Sequence, residues 1–274
     1  MWKKSIIPGI MKTNVRTLGA VLVLLCSTGV QGAAPTDGVP FENSLGMKFV
    51  PVPGTNARFS VWDTRVKDYA AFVKATRHDA GDGWKNPGFQ QTDDHPVVNV
   101  SWEDAKAFCK WLTETERGAG KIPASQEYRL PTDAEWSAAV GLPQERGNNP
   151  KEKDEKVKGV YPWEASWPPP RGAGNYDSSL GVDAFDYTSP VGSFSANRFG
   201  LYDMGGNVWQ WCEDLYSEEK AYRVVRGGSW YGIVPESLCS SYRNDGHPDY
   251  RISCYGFRCI YADTNRTVAV RLPK

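Results

Sequence analysis

Histidine is scarce in this sequence: three among 274 residues, at positions 78, 95 and 247, with no HxH or HExxH spacing. Six cysteines are present but no CxxC, so neither a zinc ribbon nor a thioredoxin-like redox site is written here. An excess of one charge is missing too, since 32 basic side chains meet 32 acidic ones. Binding phosphate polyanions requires a basic face that releases counterions, which removes nucleic acid from the expected partners. Long helices and helical repeats are also disfavoured. The 27 Gly and 19 Pro make up about a sixth of the chain, against the usual roughly 12 %. What is present is apolar material, 40 % hydrophobic and 12 % aromatic, enough for one sizeable core.

The amino end predicts a compartment. Lys12 and Arg16 precede an apolar run from Leu18 to Val30, which closes on the small residues Gly32 and Ala33. A basic start, a short apolar core and a small-residue exit form the pattern of a secretory signal peptide. The run is too short to span a bilayer, which takes roughly 20 apolar residues. The basic residues sit next to the run if translation starts at Met11. The expected organisation is a signal peptide over residues 1–32, one domain over 41–263 and a tail over 264–274. The protein is expected to be exported, to the periplasm or outside the cell, with no membrane attachment after cleavage. Removing the signal leaves 28 basic and 32 acidic side chains, a net charge of −4.

Local patterns predict a strand over Phe41 to Val52 and three helices. Thr64 is the expected cap of a helix in which Val66, Tyr69, Ala70 and Val73 share one face. Ser101 with Asp104 approximates a capping box ahead of Trp102, Ala105, Cys109 and Leu112, a stripe that turns Cys109 inward. Thr132 with Glu135 is a proper capping box opening a third helix through Trp136. The charged stretch 144–158 reads as a solvated loop. From Asn175 onward Gly, Asn, Asp and aromatic residues predict short strands and long ordered loops. Such loops need fastening, because their backbone groups lack ladder partners. Buried Trp, disulfides and bound cations are the available devices.

Four phrases carry a family signature: Arg129-Leu-Pro-Thr-Asp-Ala-Glu-Trp136, Gly206-Asn-Val-Trp-Gln-Trp-Cys-Glu-Asp214, Arg226-Gly-Gly-Ser-Trp230 and Gly256-Phe-Arg-Cys259. In this order they resemble the sulfatase-modifying-factor family, whose named activity is that of the formylglycine-generating enzyme. The resemblance runs from about Phe41 to Asp263. It implies an α+β fold, a C-type-lectin-like variant with few helices, short twisted strands and long ordered loops.

The activity that the resemblance implies converts a cysteine of a sulfatase to formylglycine, using dioxygen and copper held by two enzyme thiolates. Soft thiolates select Cu(I), so two cysteines must share one ion. In the family the pair has four residues between its members. Counting back from Arg243, with Pro248 and Asp249 matching the family's following Pro-Asp, the two positions fall on Pro235 and Ser240. Neither is a cysteine. Cys239 lies one residue from the second position and is the one thiol that a small shift could bring to a catalytic place.

The resemblance further implies a disulfide between Cys109 and Cys259. Among the remaining thiols Cys239 and Cys254 are candidates for a second bridge, leaving Cys212 as a buried thiol. Calcium is implied as a structural cofactor. A first site would use Asn175, Tyr176, Asp183 and Phe185, and a second, weaker one Asp203, Gly206, Val208 and Gln210, where the family usually has Glu in place of Gln210. Two readings of function follow. One is a diverged relative of the copper oxidase acting on a peptide or protein such as a sulfatase. The other is a non-catalytic C-type-lectin-like module that binds a peptide or a glycan.

Overall fold

The computed structural model describes residues 39–264, apart from 143, 144, 155 and 165. The expected signal segment over 1–32 and the expected tail, all but its first residue, lie outside the described residues. No described helix is long and apolar enough to cross a membrane.

The strand expected over Phe41 to Val52 is a hairpin, β1 (Phe41–Glu42) and β2 (Lys48–Pro51), with Phe41 opposite Phe49. Asn43 makes the difference. Its Oδ1 accepts the N–H groups of Leu45 at 2.9 Å and Met47 at 3.0 Å, an Asx-type turn that competes with continued extension. β3 (Ala57–Ser60) follows, then α1 (Val66–Thr76) and α2 (Trp102–Gly118). Thr64 does not cap α1. Arg65 holds that position: the Asp68 carboxylate accepts both its N–H and its guanidinium, while the Thr64 hydroxyl lies 3.7 Å from Cys259 Sγ. Ser101 and Asp104 form the capping box of α2, as Thr132 and Glu135 do for α3 (Asp133–Val140), which follows β4 (Gln126–Arg129).

The charged stretch 144–158 departs from the expected solvated loop. It contains a short helix, α4 (Pro150–Lys153), and sends Glu145 inward to Arg243. The C-terminal half holds longer strands than composition suggested. A hairpin of β5 (Trp209–Ser217) and β6 (Lys220–Arg226) precedes β7 (Asn244–Gly246), β8 (Tyr255–Gly256) and β9 (Ile260–Asp263).

Two sheets result. The first is antiparallel throughout in the order β1-β2-β3-β9-β4, so the last strand lies between the third and fourth. The second runs β7-β6-β5-β8, with β8 parallel to β5. Side chains alternate across a strand. On β9 this sends Tyr261 into one hydrophobic cluster with Phe49, Tyr128 and α2, and sends Ile260 and Ala262 into another with Phe59, Trp136 and Leu201. Val225 and Val224 of β6 divide between the same two clusters, as do Trp211 and Cys212 of β5.

Candidate functional site

The segment from Arg226 to Arg243 spans the positions counted for the copper pair, and buried charge fixes both its ends. Asp133, at the start of α3, accepts from Arg226 and from Arg243, the latter through Nε and Nη2 at 2.9 Å each. Glu145 takes the same Arg243 at 2.8 and 2.6 Å. Burial would raise the Asp133 carboxyl, but the two guanidiniums outweigh it and hold the group below the usual carboxylate range. Arg226 also lies over the Trp136 ring and donates to the Ser240 carbonyl at 2.8 Å. The loop is thereby tied to the hydrophobic core through side chains far away in sequence.

A second buried hub lies at Arg258. Its guanidinium donates to Gln210 Oε1 at 2.8 Å, to Ser60 O at 3.1 Å and to Tyr202 O at 2.7 Å. Asp63, fully buried, meets it at 3.3 Å, yet neither Asp63 oxygen accepts a hydrogen bond. Burial pushes the Asp63 carboxyl up to about 8; Arg258 opposes the rise and Asp203 adds to it.

The chain just after Arg226 joins an aromatic surface. Phe89 stacks on Tyr187 with centroids 4.6 Å apart, Trp230 meets Tyr187 edge-on at 5.1 Å, and Tyr231 meets Trp230 at 5.7 Å. Tyr231 is 68 % exposed and Tyr187 45 %, and Ile233 and Val234 beside them are also exposed. Asp177, Asp186 and Glu236 lie on the same segments, since the Asp177 N–H donates to the Gly232 carbonyl. Among the described residues none of these three acids has an ion-pair partner. The sequence offered Trp230 through its phrase, but nothing in it joined Phe89 to Tyr187 across about a hundred residues.

The thiols are distributed as follows. Pro235 caps a 3-10 turn over Glu236–Leu238, and Ser240 is buried, with its N–H on the Val160 carbonyl at 2.7 Å and its hydroxyl unpartnered. Cys239 is half-buried in a cluster with Tyr161 and Leu238, its thiol donating to the Pro235 carbonyl at 3.6 Å. Cys254 packs against the first core cluster, and burial raises its thiol. The structure places Cys239 and Cys254 as free thiols against different clusters. Cys109 and Cys259 it does bring together: their sulfurs lie 3.5 Å apart as free thiols. Cys212 is a buried free thiol that donates to the Gln210 carbonyl at 3.9 Å, and burial pushes it well up. Among the described residues no group of three or more His, Cys, Asp or Glu side chains is placed to share a metal. The donor set around Pro235 and Ser240 does not fit a two-thiolate Cu(I) centre.

The two calcium sets differ. Asn175, Tyr176, Asp183 and Phe185 are gathered: Asp183 accepts the N–H of Tyr176 at 3.0 Å and that of Phe185 at 2.9 Å. Asn175 Oδ1 is buried with no donor. A buried amide oxygen without a donor, in a set that also holds the Asp183 carboxylate, is the kind of oxygen ligand a hard cation takes. Asp203 and Gln210 of the second set are also close, but the Gln210 side-chain oxygen is occupied. Gln210 Oε1 accepts from Trp136 Nε1 at 2.9 Å and from Arg258, and Gln210 Nε2 donates to the Asp203 carbonyl at 2.7 Å. A guanidinium already sits on the oxygen a cation would need, so this set does not fit. Gly206 serves packing instead: its φ is +81°, and a Cβ there would collide with the Asn175 carbonyl oxygen.

Few helices, two curled sheets and long loops fastened by buried Arg, Trp and Asn side chains define an α+β, C-type-lectin-like scaffold. The chain belongs to the sulfatase-modifying factor enzyme 1-like domain family, whose pattern matches residues 36–263. It is 35 % identical over 208 residues to a formylglycine-generating enzyme of Thermomonospora curvata, covering 64 % of this chain and 60 % of that one. It is 34 % identical over 192 residues to the inactive Cα-formylglycine-generating enzyme 2 of Bos taurus, covering 64 % of this chain and 55 % of the relative. The chain thus spans little more than half the length of these relatives. In fold it is similar to PvdO from Pseudomonas aeruginosa, with a TM-score of 0.59 and 24 % identity over 84 % of this chain and all of the other.

Proposed function

We propose that this protein is an exported, diverged member of its family that binds a peptide segment on its aromatic face and does not carry out the copper-dependent oxidation of cysteine. One observation carries the reading: Pro235 and Ser240 stand where the thiolate pair is counted, and Cys239 and Cys254 pack against separate clusters. A relative named inactive, at 34 % identity, is in keeping with it. Flat rings present contact area with little rotamer entropy to lose, and stacked Phe89 and Tyr187 with edge-on Trp230 are already arranged. Asp177, Asp186 and Glu236, with no ion-pair partner among the described residues, favour a peptide bearing Arg or Lys. Calcium enters as a structural ion on Asn175 Oδ1, the Asp183 carboxylate and the carbonyls of Tyr176 and Phe185, supplying charge that holds this loop together.

The test is to incubate the mature protein with Cu(I), dioxygen and a sulfatase-type cysteine peptide. Mass spectrometry would follow the peptide, and calorimetry its binding. Binding without the mass decrease of a thiol turned aldehyde is the expected result, weakened in Trp230→Ala. Conversion of the peptide would overturn the proposal, and its loss in Cys239→Ser would then place that thiol at the reacting centre.

A further inference from the structure

The first cation set and the aromatic face meet at one side chain. Asn175 is fully buried. Its Nδ2 donates to the Tyr187 carbonyl at 2.8 Å and to Asn207 Oδ1 at 3.3 Å, while its own Oδ1 lacks any donor. A planar amide cannot turn its oxygen without turning its nitrogen. Whatever Asn175 Oδ1 faces therefore governs where the Tyr187 carbonyl is held.

Asn207 carries the connection onward. Its N–H donates to the Asn175 carbonyl at 2.8 Å, and its own carbonyl accepts the Trp230 N–H at 2.9 Å. Its side chain clamps Ser189 from both sides, taking the Ser189 N–H at 3.0 Å and giving Nδ2 to the Ser189 carbonyl at 3.2 Å. Asn207 does this from a left-handed backbone with φ +59°, a conformation that Asn tolerates better than most residues. Tyr187 and Trp230 thus hang by their main chains from the Asn175–Asn207 pair. With Phe89 those two rings make the face described above.

The geometry points to a linkage in which a hard divalent cation, taken up by Asn175 Oδ1 and Asp183, sets the positions of Tyr187 and Trp230 through Asn207. The inference rests on the calcium reading of the first ligand set and is independent of whether the protein oxidises anything. Asp183 lines a surface depression with Arg171, Phe194 and Ser195, which gives an ion access from solvent. Linkage is reciprocal, so a ligand that prefers the ordered face also tightens the ion.

The experiment uses the full chain labelled with fluorotryptophan. The Trp230 signal is identified by its absence in Trp230→Phe. After chelator treatment, Ca²⁺ is titrated while fluorine NMR and calorimetry are recorded in parallel. The Trp230 resonance is expected to move with the same midpoint as the binding heat, in the range of roughly 10⁻⁴ to 10⁻³ M typical of extracellular sites. Asp183→Asn is expected to weaken both responses about tenfold or more, since the site loses its carboxylate charge. Asn207→Ala is expected to keep the heat and lose the movement; should it not fold, Asp183→Asn still decides. Binding heat with a stationary Trp230 would overturn the linkage alone. No heat up to about 10 mM, above the weakest such sites, would overturn the calcium reading and the linkage with it. Movement that persists unchanged in Asp183→Asn or in Asn207→Ala would also overturn the linkage.

Discussion

Asp133→Asn keeps the shape of the side chain and removes one charge from a deeply buried ion cluster. The Asp133 side chain is 2 % exposed and faces two guanidiniums that are wholly buried. Without it Arg243 retains Glu145, but Arg226 keeps only neutral acceptors, the Ser240 carbonyl at 2.8 Å and the Ser137 hydroxyl at 3.2 Å. Removing one partner of a buried pair leaves an uncompensated charge and costs about 3–5 kcal/mol. For a domain of this size each kcal/mol lowers Tm by roughly 2–4 °C, so a fall of about 6–20 °C is expected. Differential scanning calorimetry at neutral pH measures it. The sign also has a pH dependence. The Asp133 carboxyl is held below its ordinary range, so its contribution is present above that range and fades as pH falls through the folded value. The variant should therefore converge on the wild type in acid. A Tm change below about 2 °C at neutral pH, less than 1 kcal/mol at that conversion, would refute the reasoning.

Asp63 should behave in the opposite sense. Its carboxyl is raised to about 8, so the folded state keeps a proton that the unfolded chain releases, and stability declines as pH climbs from the ordinary carboxylate range to about 8. Asp63→Asn should flatten that decline, whose ceiling is on the order of 5 kcal/mol at 1.36 kcal/mol per unit; equal slopes in urea titrations of the two proteins between pH 5 and 8 would count against it. Non-reducing peptide mapping of exported protein should find Cys109 joined to Cys259, and Cys109→Ser should lower stability by roughly 4–5 kcal/mol on the loop-closure scale; recovery of both as free thiols would contradict this. Gly206→Ala should destabilise by about 1–3 kcal/mol, because a left-handed backbone is strained and the new Cβ meets the Asn175 carbonyl; an unchanged unfolding midpoint would show that the loop yields.

The helices were legible because their signals are local. Ser101 with Asp104 and Thr132 with Glu135 declare two helix starts within four residues, and the inward turn of Cys109 followed from the helical period. Thr64 misled, since Arg65 reaches Asp68 through both its backbone and its guanidinium, an arrangement that residue type alone does not announce. Glu145 misled for a different reason. A carboxylate in a run of Lys and Glu looks solvated until Arg243, ninety-eight positions away, is placed against it. The candidate cation residues came from resemblance, and only coordinates separate the set with an orphaned oxygen from the set occupied by Arg258. The aromatic face was illegible because Phe89, Tyr187 and Trp230 come from three distant loops.

The place of β9 between β3 and β4 also bears on how the protein is made. Until residues 260–263 leave the ribosome, β3 and β4 each show an unpaired edge, and such edges are templates for aggregation. Translation alone cannot close this sheet in stages from the amino end. A chain halted short of Ile260 therefore keeps both strand edges open to pairing with another chain.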